Sequence, residues 1–266
     1  MIAANSDFED VVYPDTSLLI TEDGKPVDNL FVEKQYRLLT EPLWTSWKAP
    51  NGEPFRVLAN VGLFFAYKQP PLVPDVMFAT DVKSPEHPRE SDSRSYFQWI
   101  VGKPPDVVIE IVSDRRGRED SEKLRAYQRI GVPFYVIFDP DEVLKEGVLR
   151  TFSLTEGRYR LIDHSRFGDL GIGLTLWDGE YEDGTETWLR WIDDCEQLIP
   201  TGKELAEAER IRASEAKSRA ETAESRAETA ESKAETAESR AETAEQRVKK
   251  LEDRLRAAGL SANGQV

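Results

Sequence analysis

Over most of the chain, short apolar runs alternate with clusters of Pro, Gly, Asp and Asn, the pattern of strands and helices joined by turns. Residues 1–27 hold turn formers at Tyr13-Pro14-Asp15 and Asp23-Gly24-Lys25-Pro26 and read as an N-terminal extension. Beyond them, Phe31, Val32, Gln35, Leu38 and Leu39 share one side of a helix predicted over about 30–39, capped by Asp28 or Asn29 and ending near Pro42. Two β-rich stretches, 55–65 and 73–79, lie on either side of Pro70-Pro71, and the polar segment 81–95 reads as a loop. Residues 95–102 are expected to pack their aromatics on the core. Alternation around Glu156-Gly157 predicts a hairpin of 148–154 with 158–162. Stretches 170–177 and 187–198, with Trp177, Trp188 and Trp191 as core or rim, complete a globular part over 28–200.

The stretch 105–140 organises this part. An apolar run (Val107, Val108, Ile109, Ile111, Val112) carries Glu110 in its middle, and a carboxylate is costly to bury without a partner. A loop containing Gly117 and several arginines follows, then an amphipathic helix, then a second apolar run over 134–138, so the order is strand, helix, strand. An acid also interrupts apolar residues at the start of the 73–79 stretch, in Pro74-Asp75-Val76.

At helical spacing Asp120, Lys123, Tyr127 and Ile130 lie together, while Arg118, Glu122, Arg125 and Arg129 form the opposite, outward row. A lysine facing the sheet fits chemistry, although snorkelling past Tyr127 or pairing with Asp120 would also place it there. Asp75, Glu110 and Lys123 therefore form the candidate catalytic set. Two carboxylates at one end of a sheet can share a hard cation such as Mg2+, and a nearby lysine can position a water or offset charge on phosphate. Arg115 and Arg116, in the loop after the Glu110 strand, are the candidate phosphate contacts.

Taken in order, Pro74-Asp75, Glu110 within VVIEIVS, Asp120-x-x-Lys123, Gly131-Val132 and the closing FYVIFDP resemble the PD-(D/E)xK, restriction-endonuclease-like superfamily, and within it the Uma-two-type branch. The resemblance spans about residues 28–180. It implies an α/β core with a mixed central sheet flanked by helices, and Asp75 and Glu110 as Mg2+ ligands, with the carbonyl of Ile111 as a further ligand. It also implies an acid on the N-terminal helix near the site, matched by Glu33, and metal-dependent hydrolysis of DNA. The superfamily's usual lysine stands two residues after the acid, where this chain has Val112; in the branch it resembles, that lysine stands on the following helix, here as Lys123. A catalytically inactive nuclease-fold scaffold is the alternative.

From residue 201 the texture changes. The heptad SRAETAE begins at 218, 225 and 239, with SKAETAE at 232, and leads into QRVKKLEDRL. Alanines at 3-and-4 spacing, followed by Val248, Leu251 and Leu255, predict a coiled-coil helix over 201–257, ahead of a tail over 258–266. With Ala220 as a and Ala223 as d, acidic e positions (Glu224, Glu231, Glu238, Glu245) flank basic g positions (Arg226, Lys233, Arg240, Arg247), which favours a parallel homodimer. Alanine buries little area, so a long single helix is the competing expectation.

Charge then limits the partners. The formal net charge is −15, and only 14 of the 50 acidic residues but 13 of the 35 basic ones lie in 201–266, leaving 36 acids and 22 bases in 1–200. The globular part is the acidic part, so a DNA contact must use a local basic patch or a bound cation. His87 and His164 have no companion at metal-ligand spacing, and the single Cys195 is expected to be structural and fits a reducing compartment. No long apolar run and no signal-like N-terminus are present, so a cytoplasmic location without membrane insertion is expected.

Overall fold

A computed structural model describes residues 29–66, 68–90, 93–113 and 119–257; the predicted N-terminal extension, the tail, Arg115 and Arg116 lie outside these. The chain divides into two units, 1–203 and 204–266.

The first unit is mixed α/β. Helix α1 (Leu30–Thr45) is capped by the Asn29 side chain, which accepts from the Val32 N–H at 2.9 Å. It runs past Pro42, where the sequence predicts its end. Proline removes one backbone donor, but Leu43, fully buried one residue later, anchors the last turn on the core. The β-rich stretch 55–65 holds two strands, β1 (Phe55–Ala59) and β2 (Leu63–Phe64), separated at Asn60, whose φ is 54°. Then follow β3 (Val76–Thr80), β4 (Tyr96–Phe97), the short α2 (Gln98–Val101) and β5 (Val107–Ile111). Tyr96 is buried as expected, but Trp99 and Ile100 of α2 are exposed, because this single turn leaves the core surface.

After β5, a π turn (Glu119–Lys123) opens α3 (Leu124–Ile130), which leads to β6 (Phe134–Phe138). The hairpin of β7 (Leu149–Thr155) and β8 (Arg158–Ile162) turns at Glu156 and Gly157, both in the left-handed region. Finally β9 (Ile172–Tyr181) and β10 (Gly184–Asp193) form a two-stranded antiparallel ribbon. This ribbon is longer at its turn than the apolar pattern predicts. Glu182 and Asp183 take the left-handed conformation, so polar residues flanking the turn still pair.

The central sheet has the order β1-β3-β5-β6-β7-β8. All its neighbours are antiparallel except β5 and β6, whose parallel pairing requires the long crossover that α3 provides. Strand alternation sends Ile109, Ile111, Val136 and Phe138 to one face, with α1 and the β9–β10 ribbon, and sends Val108, Val112, Tyr135 and Ile137 to the other, with Tyr127 of α3. Gln35, fully buried on α1, both donates to and accepts from the Leu189 backbone (2.8 and 3.0 Å), closing the open edge of the ribbon. Trp191 adds a bond from its indole N–H to the Leu39 carbonyl at 2.7 Å.

The second unit is one continuous helix, part of α4 (Gly202–Ala257), which at about 1.5 Å per residue is roughly 84 Å long. Every residue from Ile211 to Ala257 is exposed. Among the described residues no helix is long and apolar enough to cross a membrane.

Candidate active site

β5 is buried at all five positions, and alternation directs Glu110 to the α3 face. Its neighbour β3 runs antiparallel with Val76 opposite Ile109, so one step further along the register Asp75 stands opposite Glu110. Two carboxylates thus meet at one end of adjacent strands. Asp75 is half-buried and Glu110 has no exposed surface.

Four donors hold this pair. Lys123 Nζ lies 2.7 Å from Glu110 Oε2, and the Tyr127 hydroxyl donates to Glu110 Oε1 at 2.7 Å. Tyr36 of α1 donates to Asp75 Oδ1, and the Ile111 N–H to Asp75 Oδ2, each at 2.7 Å. Lys123 and Tyr127 stand four residues apart and reach the same carboxylate, as the inward face read from the sequence requires. Glu122, Arg125 and Arg129 are exposed on the outward row. The Lys123 side chain keeps 30% of its surface, whereas the Glu110 side chain it holds keeps none. Because N–H and C=O of one strand residue project to the same edge, the Ile111 carbonyl points to the Asp75 side.

Burial, and then the charge of Asp75, push the Glu110 carboxyl up to about 8, against the opposing pull of Lys123 and Tyr127. The same burial, with Glu110 beside it, pushes the Tyr127 hydroxyl well above its ordinary range. Two carboxylates close enough to repel and an oriented carbonyl make an all-oxygen donor set of the kind a hard divalent cation accepts.

Glu33 is exposed and pairs with Arg37, which also holds Glu182; the α1 side chain bonded to Asp75 is Tyr36. Asp120 sits in the π turn, with its side chain outside the described residues. Asp139 of the FDP motif is fully buried and accepts from the Val143 and Leu144 N–H groups at 2.8 Å, so it shapes the turn after β6. His164 accepts from the Arg166 N–H within its own loop, and Cys195, expected as a structural thiol, is exposed because it lies on the turn after β10. Among the described residues no group of three or more His, Cys, Asp or Glu gathers.

The two phenols were legible only in part: Tyr127 shares the inward face with Lys123, but nothing in the local pattern ties Tyr36 to Asp75. Tyr127→Phe should lower stability by about 1–3 kcal/mol, since a buried carboxylate oxygen loses its donor. Urea unfolding would measure it, and an unchanged midpoint and slope would mean that the bond contributes nothing.

The Uma2 family model, described as "Putative restriction endonuclease", matches residues 10–177, which is more than half of the chain and includes Asp75, Glu110 and Lys123. No curated protein matches the chain. The mixed sheet agrees with a restriction-endonuclease-like core, and the chain belongs to the Uma2 family of restriction-endonuclease-like proteins.

Proposed function

We propose that the chain is a Mg2+-dependent endonuclease that hydrolyses DNA phosphodiester bonds. The observation that carries this reading is the convergence of Asp75, Glu110 and Lys123 at one strand end, inside the region matched by a nuclease family. Asp75, Glu110 and the Ile111 carbonyl would hold the cation. When bound, it would polarise a phosphoryl oxygen and make a coordinated water more acidic.

The chain's own residues supply the rest. Tyr36 and Tyr127 each fix one oxygen of a carboxylate, so both acids are oriented before substrate arrives. Lys123, partly exposed and bonded to Glu110 Oε2, would orient the attacking water and offset charge that grows on phosphate. Arg115 and Arg116 would contact the flanking backbone phosphates; the acidic surplus of residues 1–200 makes such local cations necessary.

That same surplus favours a second reading, a nuclease-fold binding or scaffold protein without catalysis. Nicking of supercoiled plasmid separates the two. Relaxed circles should accumulate with Mg2+ and stay at background with chelator; identical background in both would leave the scaffold reading standing.

A further inference from the structure

We propose that residues 219–255 of α4 pair, parallel and in register, with the same segment of a second copy of this chain. The first support is what an isolated helix would have to tolerate. Side chains on one helix meet at i±3 and i±4. Arg226, Lys233, Arg240 and Arg247 have no acid at those positions; Arg226, for example, faces Thr222, Ala223, Thr229 and Ala230. The acids, in contrast, meet one another, as Glu224 does Glu221 and Glu228. The ion pairs of α4 accordingly stop early, at Arg210–Glu207, Arg219–Glu215 and Lys217–Glu221, and among the described residues none joins side chains of 222–247. A helix stabilised alone by its own charges would have the opposite arrangement.

A parallel partner resolves both rows. Arg219 then meets Glu224 of the second copy, Arg226 meets Glu231, Lys233 meets Glu238, Arg240 meets Glu245 and Arg247 meets Glu252, each twice by symmetry. An antiparallel partner would set base against base and acid against acid. The boundary follows from the same rule, since Arg212 would meet Lys217 and Glu209 would enter the seam. The seam itself is alanine up to Ala244 and then large: Val248 and Leu251 are each 55% exposed and Leu255 is 40% exposed on the single helix. Those three also set the register, because a slip of one heptad keeps every alanine layer and charge pair in the repeats but separates Val248, Leu251 and Leu255 from their counterparts.

Sedimentation equilibrium of the full chain should give the mass of two copies. The triple variant Arg226→Glu, Lys233→Glu, Arg240→Glu should dissociate at least about 100-fold more readily, because six interchain pairs become repulsive. Glu231→Lys, Glu238→Lys, Glu245→Lys should do the same alone, and an equimolar mixture of the two variants should restore a dimer. The glutamate set gains no charged neighbour at i±3 or i±4, whereas the lysine set gains Glu228, Glu235 and Glu242 on its own helix, so the two sets differ as isolated helices, and it is recovery on mixing that separates lost pairing from lost folding. For direction, Ala244→Cys in a Cys195→Ser background should form a disulfide between copies on mild oxidation. A wild-type monomer, a charge-reversed dimer as tight as wild type, or a dimer without the Ala244→Cys cross-link would each overturn the proposal.

Discussion

Lys123→Ala should reduce Mg2+-dependent plasmid nicking by roughly 10²–10⁴-fold, the range expected when a group that orients or deprotonates a nucleophile is removed. Asp75→Asn and Glu110→Gln should reduce it at least as far, because each also takes a charged oxygen from the proposed cation ligands. Losses at such a site are not additive, so the Asp75→Asn, Lys123→Ala double variant should fall little below the worse single one. Lys123→Arg should not rescue fully. A planar guanidinium is wider than the ammonium that now sits 2.7 Å from Glu110 Oε2, beside Tyr127 on the same carboxylate. Circular dichroism of each variant must match the wild type, since Lys123 also balances a buried acid. Equal nicking by the wild type, Asp75→Asn, Glu110→Gln and Lys123→Ala would assign the activity to a contaminant and sink the catalytic reading.

The sequence made the site legible where chemistry conflicted with burial. Glu110 stood out because the rest of its strand is apolar, and Lys123 because helical spacing put it beside Tyr127 on the inward face; the structure brings all three within hydrogen-bond range. Tyr36 did not stand out. Its bond to Asp75 crosses between elements 39 residues apart, and no local periodicity encodes where the flank of α1 meets the start of β3. The family resemblance suggested Glu33 for the same neighbourhood, but Arg37, one turn on, pairs with that carboxylate. The end of α1 was missed where tertiary packing overrides a local signal, since the helix continues past Pro42 because Leu43 is buried; the pattern of 55–65 was read as β-rich but not where it divides, at Asn60, whose N–H turns to the Asp75 carbonyl at 3.0 Å. That break ties the loop after β1 to Asp75 of the candidate site.

The metal-free protein should lose stability as pH rises from about 4.5 to about 8. Glu110 has an ordinary value near 4.5 and is pushed up to about 8 in the folded state, chiefly by burial and then by Asp75. Below the lower value both folded and unfolded chains carry the proton, and burial of the neutral acid costs little. Between the two values the folded chain binds more protons than the unfolded one, so stability falls with pH; above about 8 both states are ionised and the whole penalty is present. At about 1.4 kcal/mol per pH unit the loss is on the order of 5 kcal/mol, which is a large fraction of a domain's stability. Glu110→Gln removes the titrating group and should flatten this part of the profile. Mg2+ should act in the opposite direction, because a cation that binds the ionised pair in the folded chain stabilises it by mass action, more at pH 8 than at pH 5. Thermal unfolding across this range, with chelator and with Mg2+, therefore tests the carboxylate pair without any nucleic acid. A profile equally flat in wild type and Glu110→Gln would mean that Asp75 and Glu110 are not the coupled pair the site requires, and equal Mg2+ shifts at pH 5 and pH 8 would mean that the cation binds elsewhere.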